Sequence, residues 1–248
     1  MSEDNHKTER IAKRMARAGL CSRREAERWI EAGRVTVNGE VIDSAALNVS
    51  DSDKIYVDRK PLQGKEETRL FLYHKPAGLV TSARDEKGRE TVFDALPKTM
   101  PRVVSVGRLD MNSEGLLLLT NDGELSRFLE LPSTGWSRKY RVRVHGKVNE
   151  QRLAQLKDGI KVEGVHYKSI EASLDSVQGA NSWITIVLRE GKNREIRRVM
   201  EALGLKVNRL IRTSYGPFSL RKLEKGAVEE VKPQVLRDQI AKFFKEKK

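Results

Sequence analysis

The chain has 248 residues, 38% hydrophobic and 33% charged, a length suited to one large domain or two unequal ones and a composition that excludes wholesale disorder. Its apolar runs are too short for a bilayer span and its charged first residues, MSEDNHKTER, carry no secretory signal, so a cytoplasmic protein is expected. A single cysteine, Cys21, and four scattered histidines exclude an internal disulfide and leave no metal-ligand spacing, while 48 Lys and Arg against 35 Asp and Glu call for a polyanionic partner.

Near the start, Ile11, Met15 and Ala18 recur at helical spacing until Gly19 stops the turn. Ser22 and Glu25 form a capping box that opens a second helix over 23–32, and Gly33 is placed to end it. Residues 34–42 alternate around Asn38-Gly39, a strong hairpin signal, and 53–58 read as a further strand. Residues 7–60 therefore predict a small α/β module, just large enough to fold alone. Charge is uneven within it: residues 10–34 hold eight basic and three acidic side chains, residues 40–58 one basic and five acidic. One face is thus a candidate phosphate reader, and arginine suits phosphate because its planar fork makes paired hydrogen bonds. The pattern resembles the alpha-L RNA-binding module of a small-subunit ribosomal protein, bacterial tyrosyl-tRNA synthetases and several RNA-modifying enzymes. Arg23, Arg24, Arg28 and Arg34 match the basic positions around that module's second helix.

Residues 61–69, polar and carrying Pro61 and Gly64, read as a linker, and 70–232 as the larger domain. Strands are predicted at 69–73 and 79–82, on either side of His74-Lys-Pro-Ala-Gly78, and a short element at 91–96. Arg108, Asp110 and Asn112 then precede Leu116 to Leu119, a buried strand by its length and its closing turn Asn121-Asp122-Gly123. A helix over 124–130 follows. Residues 139–145 alternate with period two, placing Tyr140, Val142 and Val144 on one face and Lys139, Arg141 and Arg143 on the other. Beyond come a helix at 151–158, strands at 161–163, 169–174 and 183–188, and a helix over 194–203 stopped by Gly204. Residues 189–222 carry ten basic and three acidic side chains. Leu236, Ile240, Phe243 and Phe244 place a C-terminal helix with a basic tail in 233–248. Strands outnumber helices and arrive both as neighbours and across helices, which favours an α+β fold: the small RNA-binding module joined to a larger domain on a mixed, mostly antiparallel sheet.

The acid at the head of the buried strand is the candidate for chemistry. Asp110, Asn112, Glu114 and Gly115 match the first, third, fifth and sixth places of a calcium loop, but Asn121 holds the twelfth, where a bidentate Glu belongs. A glycosidase-like pair would need a second carboxylate, and nothing in the spacing shows that Glu114 converges on Asp110. The residues alone leave Asp110 open between a turn cap and a catalyst.

Four motifs in order sharpen this: His74-Lys-Pro-Ala-Gly78; Val106-Gly-Arg-Leu-Asp110 with Gly115-Leu-Leu-Leu-Leu119-Thr-Asn-Asp-Gly-Glu-Leu125; Tyr140-Arg-Val; and Leu188-Arg-Glu-Gly-Lys-Asn-Arg-Glu-Ile-Arg-Arg198. Together they resemble the bacterial ribosomal-RNA pseudouridine synthases with an N-terminal alpha-L module, over almost the whole chain. Ser113 stands where many members have threonine, and His74 where asparagine is more usual. The resemblance implies isomerisation of uridine to pseudouridine in ribosomal RNA, with Asp110 as the catalyst, Tyr140 stacked on the target base and Arg197 paired with Asp110. Arg108, Leu188 and Lys75 would contact the substrate, and Arg194 and Arg198 the RNA. It implies no cofactor, and as partner ribosomal RNA or a ribosomal subunit precursor met by a monomer away from membranes. Pro132-Ser-Thr-Gly-Trp136 and residues 91–97 look closer to the large-subunit branch. A small-subunit or tRNA target, or a non-catalytic RNA-binding assembly factor, is the alternative.

Overall fold

The computed structural model describes residues 8–64 and 66–245. Its contacts divide the chain into two compact units, one built on the chain through Thr68 together with 100–103 and 121–123, the other on the remainder.

In the first unit, β1 (Glu9–Arg10), α1 (Ile11–Arg17) and α2 (Arg23–Glu31) lead into β2 (Val35–Val37), β3 (Glu40–Val41), β4 (Asn48–Val49), β5 (Ile55–Val57) and β6 (Lys60–Pro61). The capping box forms as its residues dictate: Ser22 Oγ accepts from the Glu25 N–H at 3.1 Å and Glu25 Oε2 from the Ser22 N–H at 2.9 Å. Asn38 and Gly39, at φ 53° and 95°, take the left-handed pair that a two-residue hairpin needs, between β2 and β3. The sheet runs β3-β2-β5-β6, and Ile11, Met15, Ala26 and Ile30 from the helices close over Val35, Ile55 and Val57.

The second unit contains β7 (Leu70–Lys75), β8 (Val104–Ser105), β9 (Glu114–Thr120), α3 (Gly123–Glu130), β10 (Arg138–His145), α4 (Glu150–Gln155), β11 (Ile160–Val162), β12 (Val165–Tyr167), β13 (Ile170–Gln178), β14 (Asn181–Leu188), α5 (Glu195–Ala202), β15 (Lys206–Tyr215), β16 (Phe218–Ser219), β17 (Val228–Glu230), α6 (Pro233–Gln239) and α7 (Ala241–Lys245). Nine strands form one mixed sheet, ordered β13-β14-β10-β15-β9-β7-β17, with β8 and β16 at its margins. Every pairing in it is antiparallel except β9 with β15. Leu116 to Leu119 are all fully buried, as an apolar run of strand length requires. Tyr140, Val142 and Val144 face inward, and on the other face the exposed Arg141 lies over the Trp183 ring at 4.7 Å.

Several elements depart from the sequence reading. The strand expected at 79–82 is reduced to a single bridge between Val80 and Thr91, and the short strands β8, β12, β16 and β17 were not expected. The longest described strand, β15, has no counterpart in that reading, because polar residues interrupt the alternation and an arginine, Arg212, takes an inward position beside Leu210 and Tyr215. The single C-terminal helix is two. The backbone breaks at Ile240 (φ −125°, ψ 35°), and the break lets Leu236, Ile240 and Phe243 all join the core around Leu70, Leu116 and Leu118. The basic tail at 246–248 lies outside the described residues.

One glycine decides the middle of the sheet. Gly115 opens β9 at φ +103°, and a Cβ there would lie 2.2 Å from the carbonyl oxygen of Arg212 on β15. Only a residue without a side chain allows both the backbone conformation and the close approach. Gly115→Ala is expected to cost more than about 3 kcal/mol and to part β9 from β15; a thermal melt within about 2 °C of wild type would contradict this.

Candidate active site

The loop between β8 and β9 carries Asp110, and its carbonyls are held one by one. Thr81 Oγ1 donates to Leu109 O at 2.8 Å, the Ser113 N–H to Asp110 O at 2.9 Å, the Gly78 N–H to Met111 O at 2.8 Å, and Arg197 Nη2 to Asn112 O at 3.0 Å. Lys75 is fully buried at the centre, its Nζ donating to the oxygens of Pro76 (3.0 Å), Asp110 (3.3 Å), Met111 (3.3 Å) and Ser113 (2.9 Å). Buried backbone acceptors must find donors, and here an ammonium with three protons serves four of them. Burial draws that ammonium down to about 8, against the opposing charges of Asp110 and Glu114. Lys75, expected to contact substrate, faces the backbone of the loop and does not line the cavity.

With its backbone spoken for, the loop presents the Asp110 side chain at a cavity of about 460 Å³. Tyr140 enters the same cavity from β10, Leu188 from the end of β14, Arg108 from the loop, and Arg194 from the turn that starts α5. The structure thus brings together five residues that the sequence singled out. The cation that reaches Asp110 is Arg194, whose Nη1 lies 3.8 Å from Oδ2. Arg197 does not make the pairing that the resemblance implied. Its guanidinium donates to Asn112 O and, at 3.3 Å, to Val207 O on β15, bridging the loop to the neighbouring strand. Burial first, and then the charge of Arg194, hold it below its ordinary basicity. Arg198, one residue on, is half-buried and does not line the cavity.

Among the wall residues that sequence reasoning did not single out, four have telling contacts. Arg138 donates Nη2 to the Tyr215 hydroxyl at 2.9 Å and Nη1 to Arg189 O at 2.8 Å, fixing the floor of the cavity between β10 and β15. Glu130 Oε1 accepts from the Gly107 N–H at 2.9 Å, which ties α3 to the Asp110 loop. Glu195 is 4% exposed; its Oε2 accepts from the Lys192 N–H at 2.9 Å and its Oε1 is buried without a partner. Burial pushes that carboxyl up to about 7, with Glu190 adding to the rise, against the Lys192 N–H and the charges of Lys192 and Arg138. Arg212, inward on β15, is the fourth. Glu195 lay within a motif already recognised and Arg138 just before another, whereas nothing along the chain marked Arg212 as a wall residue.

In the first unit Arg23, Arg24 and Arg28 are exposed on α2. Arg34 is exposed too, but its fork is taken by Asp58, with Nε to Oδ1 at 2.9 Å, and it stacks on Trp29 at 4.5 Å. It is thus already engaged within the unit, unlike the open arginines of α2.

Residues 69–202 match the family described as RNA pseudouridylate synthase, and residues 9–55 match the S4 domain. The chain belongs to the RNA pseudouridylate synthase family. A Rickettsia felis protein named as an RNA pseudouridine synthase is 46% identical over 228 residues, covering 92% of this chain and 99% of that one. The ribosomal large subunit pseudouridine synthase B of Yersinia pestis is 43% identical over 220 residues, covering 86% of this chain and 69% of that one. A crystal structure of a pseudouridylate synthase superposes with a TM-score of 0.64 at 29% identity, covering 93% of this chain and 98% of that one.

Glu195 gives this synthase a pH signature. Its folded pKa is raised above the ordinary carboxyl value, so the folded state keeps a proton that the unfolded chain releases, and stability is lost as pH rises from about 4.5 through about 7. Glu195→Gln is expected to match wild type near pH 5 and to exceed it by roughly 1–3 kcal/mol at pH 8 in denaturant melts. Parallel pH profiles for the two proteins would contradict this.

Proposed function

We propose that this pseudouridine synthase converts a uridine of large-subunit ribosomal RNA to pseudouridine, acting as a monomer in the cytoplasm on the RNA or a ribosomal subunit precursor. The observation that carries the reading is the meeting of Asp110, Tyr140 and Leu188, from three separate strands or loops, around one cavity rimmed by Arg108, Arg189, Lys192 and Arg194. Similarity to proteins named as large-subunit synthases supports the choice of RNA.

The target nucleotide is unstacked into the cavity at a cost of a few kcal/mol, which phosphate contacts to the basic rim offset. Arg108, exposed next to Asp110, contacts the substrate beside the flipped base. Tyr140 stacks on the uracil and Leu188 closes the apolar side. The C1'–N1 bond breaks with its electron pair leaving on the uracil, and Asp110 serves the electron-poor sugar as nucleophile at C1' or base at C2'. The base turns and C5 bonds to C1' as the Asp110–C1' bond breaks or, in the other route, as Asp110 returns the C2' proton; the C5 proton is then lost and N1 gains one. Arg194 orients the Asp110 carboxylate through their ion pair. Lys75 and Arg197 are positioning residues that hold the loop from behind, through Asp110 O, Met111 O, Ser113 O and Asn112 O.

Asp110→Asn should bind ribosomal RNA within about threefold of wild type and form no pseudouridine above background; substantial product from the purified variant would overturn the assignment of Asp110. Replacing Arg23, Arg24 and Arg28 together by Ala should weaken binding and lower the slope of log Kd against log salt by about 2, read by filter binding at several salt concentrations. An unchanged slope would remove α2 from the RNA contact. Mapping pseudouridines in ribosomal RNA from a strain lacking the protein identifies the target, and a missing site in small-subunit RNA or tRNA instead would redirect the substrate assignment.

A further inference from the structure

The cavity holds one buried charge that the reaction as described does not use. Arg212 lies in β15 opposite Tyr140 in the antiparallel pairing with β10 and opposite Gly115 in the parallel pairing with β9. It is 3% exposed, yet it forms part of the wall that Asp110 and Tyr140 share. Its Nε donates to Leu116 O at 2.7 Å, which fixes the plane of the fork, and the fork sits 5.2 Å from the Tyr215 ring centre. Nη2 is buried without a hydrogen-bond partner, and among the described residues no carboxylate forms an ion pair with this guanidinium. The acids nearby are committed elsewhere: Asp110 to Arg194, Glu114 to Arg209 and Lys225, Glu130 to the Gly107 N–H and Ser126 Oγ.

An arginine cannot shed its proton, so holding it away from water without an anion is a standing penalty. Such a cation is useful where negative charge develops during the reaction, because a preorganised donor costs no reorganisation at that moment. Cleavage of the C1'–N1 bond supplies that charge, since the bonding pair leaves on the uracil and spreads over N1, O2 and O4.

We propose that Arg212 stabilises the departing uracil anion, its unpartnered Nη2 donating to a carbonyl oxygen of the base. The guanidinium gives up no proton: the electron pair moves from the C1'–N1 bond to the uracil and then into the new C5–C1' bond, and the C5 proton and the N1 proton are exchanged by other groups. The symmetry of the base suits a fixed donor. Turning uracil about its N3–C6 axis exchanges N1 with C5 and O2 with O4, so a fork placed at one carbonyl before the turn meets the other after it. A single immobile arginine thus serves bond breaking and bond making alike.

This rests on the pseudouridine synthase reading of the cavity, and the test separates the two. Single-turnover rates of target-uridine consumption, which reads C1'–N1 cleavage and not the later loss of the C5 proton, and RNA affinities are measured for wild type, Asp110→Asn, Arg212→Met and Arg212→Lys on in vitro ribosomal RNA transcripts made with UTP or with 5-fluoro-UTP, whose base forms a more stable anion and has no C5 proton to lose. Arg212→Met is expected to slow the uridine reaction about 100-fold at saturating enzyme, with affinity changed less than about threefold, and to be at least about tenfold less defective on the fluorinated transcript. Arg212→Lys, which keeps the charge and loses the fork, should fall between. A loss of affinity with an unchanged saturating rate, an equal defect on both transcripts, or no defect would overturn the role of Arg212 while leaving the enzyme's activity intact. If melting shows that Arg212→Met is unfolded, the same comparison on Arg212→Lys decides, and equal defects on the two bases overturn the proposal. Wild type inactive on every transcript would sink both readings.

Discussion

The second unit depends on the contact between Gly115 and the backbone of Arg212. All other pairings in the large sheet are antiparallel and join strands by ordinary ladders; here β9 and β15 run parallel over only two registered pairs. On one side of that seam lie β7, β17 and the Asp110 loop; on the other lie β10, β14 and β13, with Tyr140 and Leu188. A cavity built from both sides keeps its dimensions only while the seam stays closed. A side chain at 115 would push against the carbonyl of a residue that itself lines the cavity, so sheet integrity and site geometry are one constraint.

Around the seam, cations have two separate duties. Lys75 and Arg197 are turned to carbonyl oxygens and hold the loop that carries Asp110, work that a neutral donor set would do less completely for so many acceptors. Arg108, Arg138, Arg189, Lys192, Arg194 and Arg212 face the cavity, against the carboxylates of Asp110, Glu130, Glu190 and Glu195. The excess of positive charge suits a phosphodiester chain at the rim and an anionic base at the centre. Arg108, Arg189, Lys192 and Arg194 are exposed at the rim, where salt screens them, whereas the buried charge of Arg212 is screened much less.

Glu195 shows how closely the wall is tuned. One of its oxygens closes the turn that starts α5, and the other has no partner, so the carboxyl holds its proton to about 7. The turn also sets Arg194 in a left-handed conformation at φ 50°, which points the chain so that Arg194 meets Asp110 while Arg197, nearly one helical turn later, meets the back of the loop. Which arginine of the motif pairs with the acid is thus settled by the entry angle of a helix.

The sequence by itself determined the features whose causes are local. The capping box at Ser22 and Glu25, the Asn38-Gly39 hairpin, the buried leucine strand and the inward face of Tyr140, Val142 and Val144 follow from neighbours within a few residues, and the motif order sufficed to identify the family and to single out Asp110. Only the tertiary structure decided the rest. β15 was illegible because its inward arginine breaks the apolar alternation by which strands are recognised, and the burial of Lys75 could not be read because three of its four acceptors belong to a loop more than thirty residues away. The partner of Asp110, the service of Arg197 to Asn112 and the unpaired charge of Arg212 all arise where segments distant in the chain meet, and no pattern along a single segment encodes such a meeting.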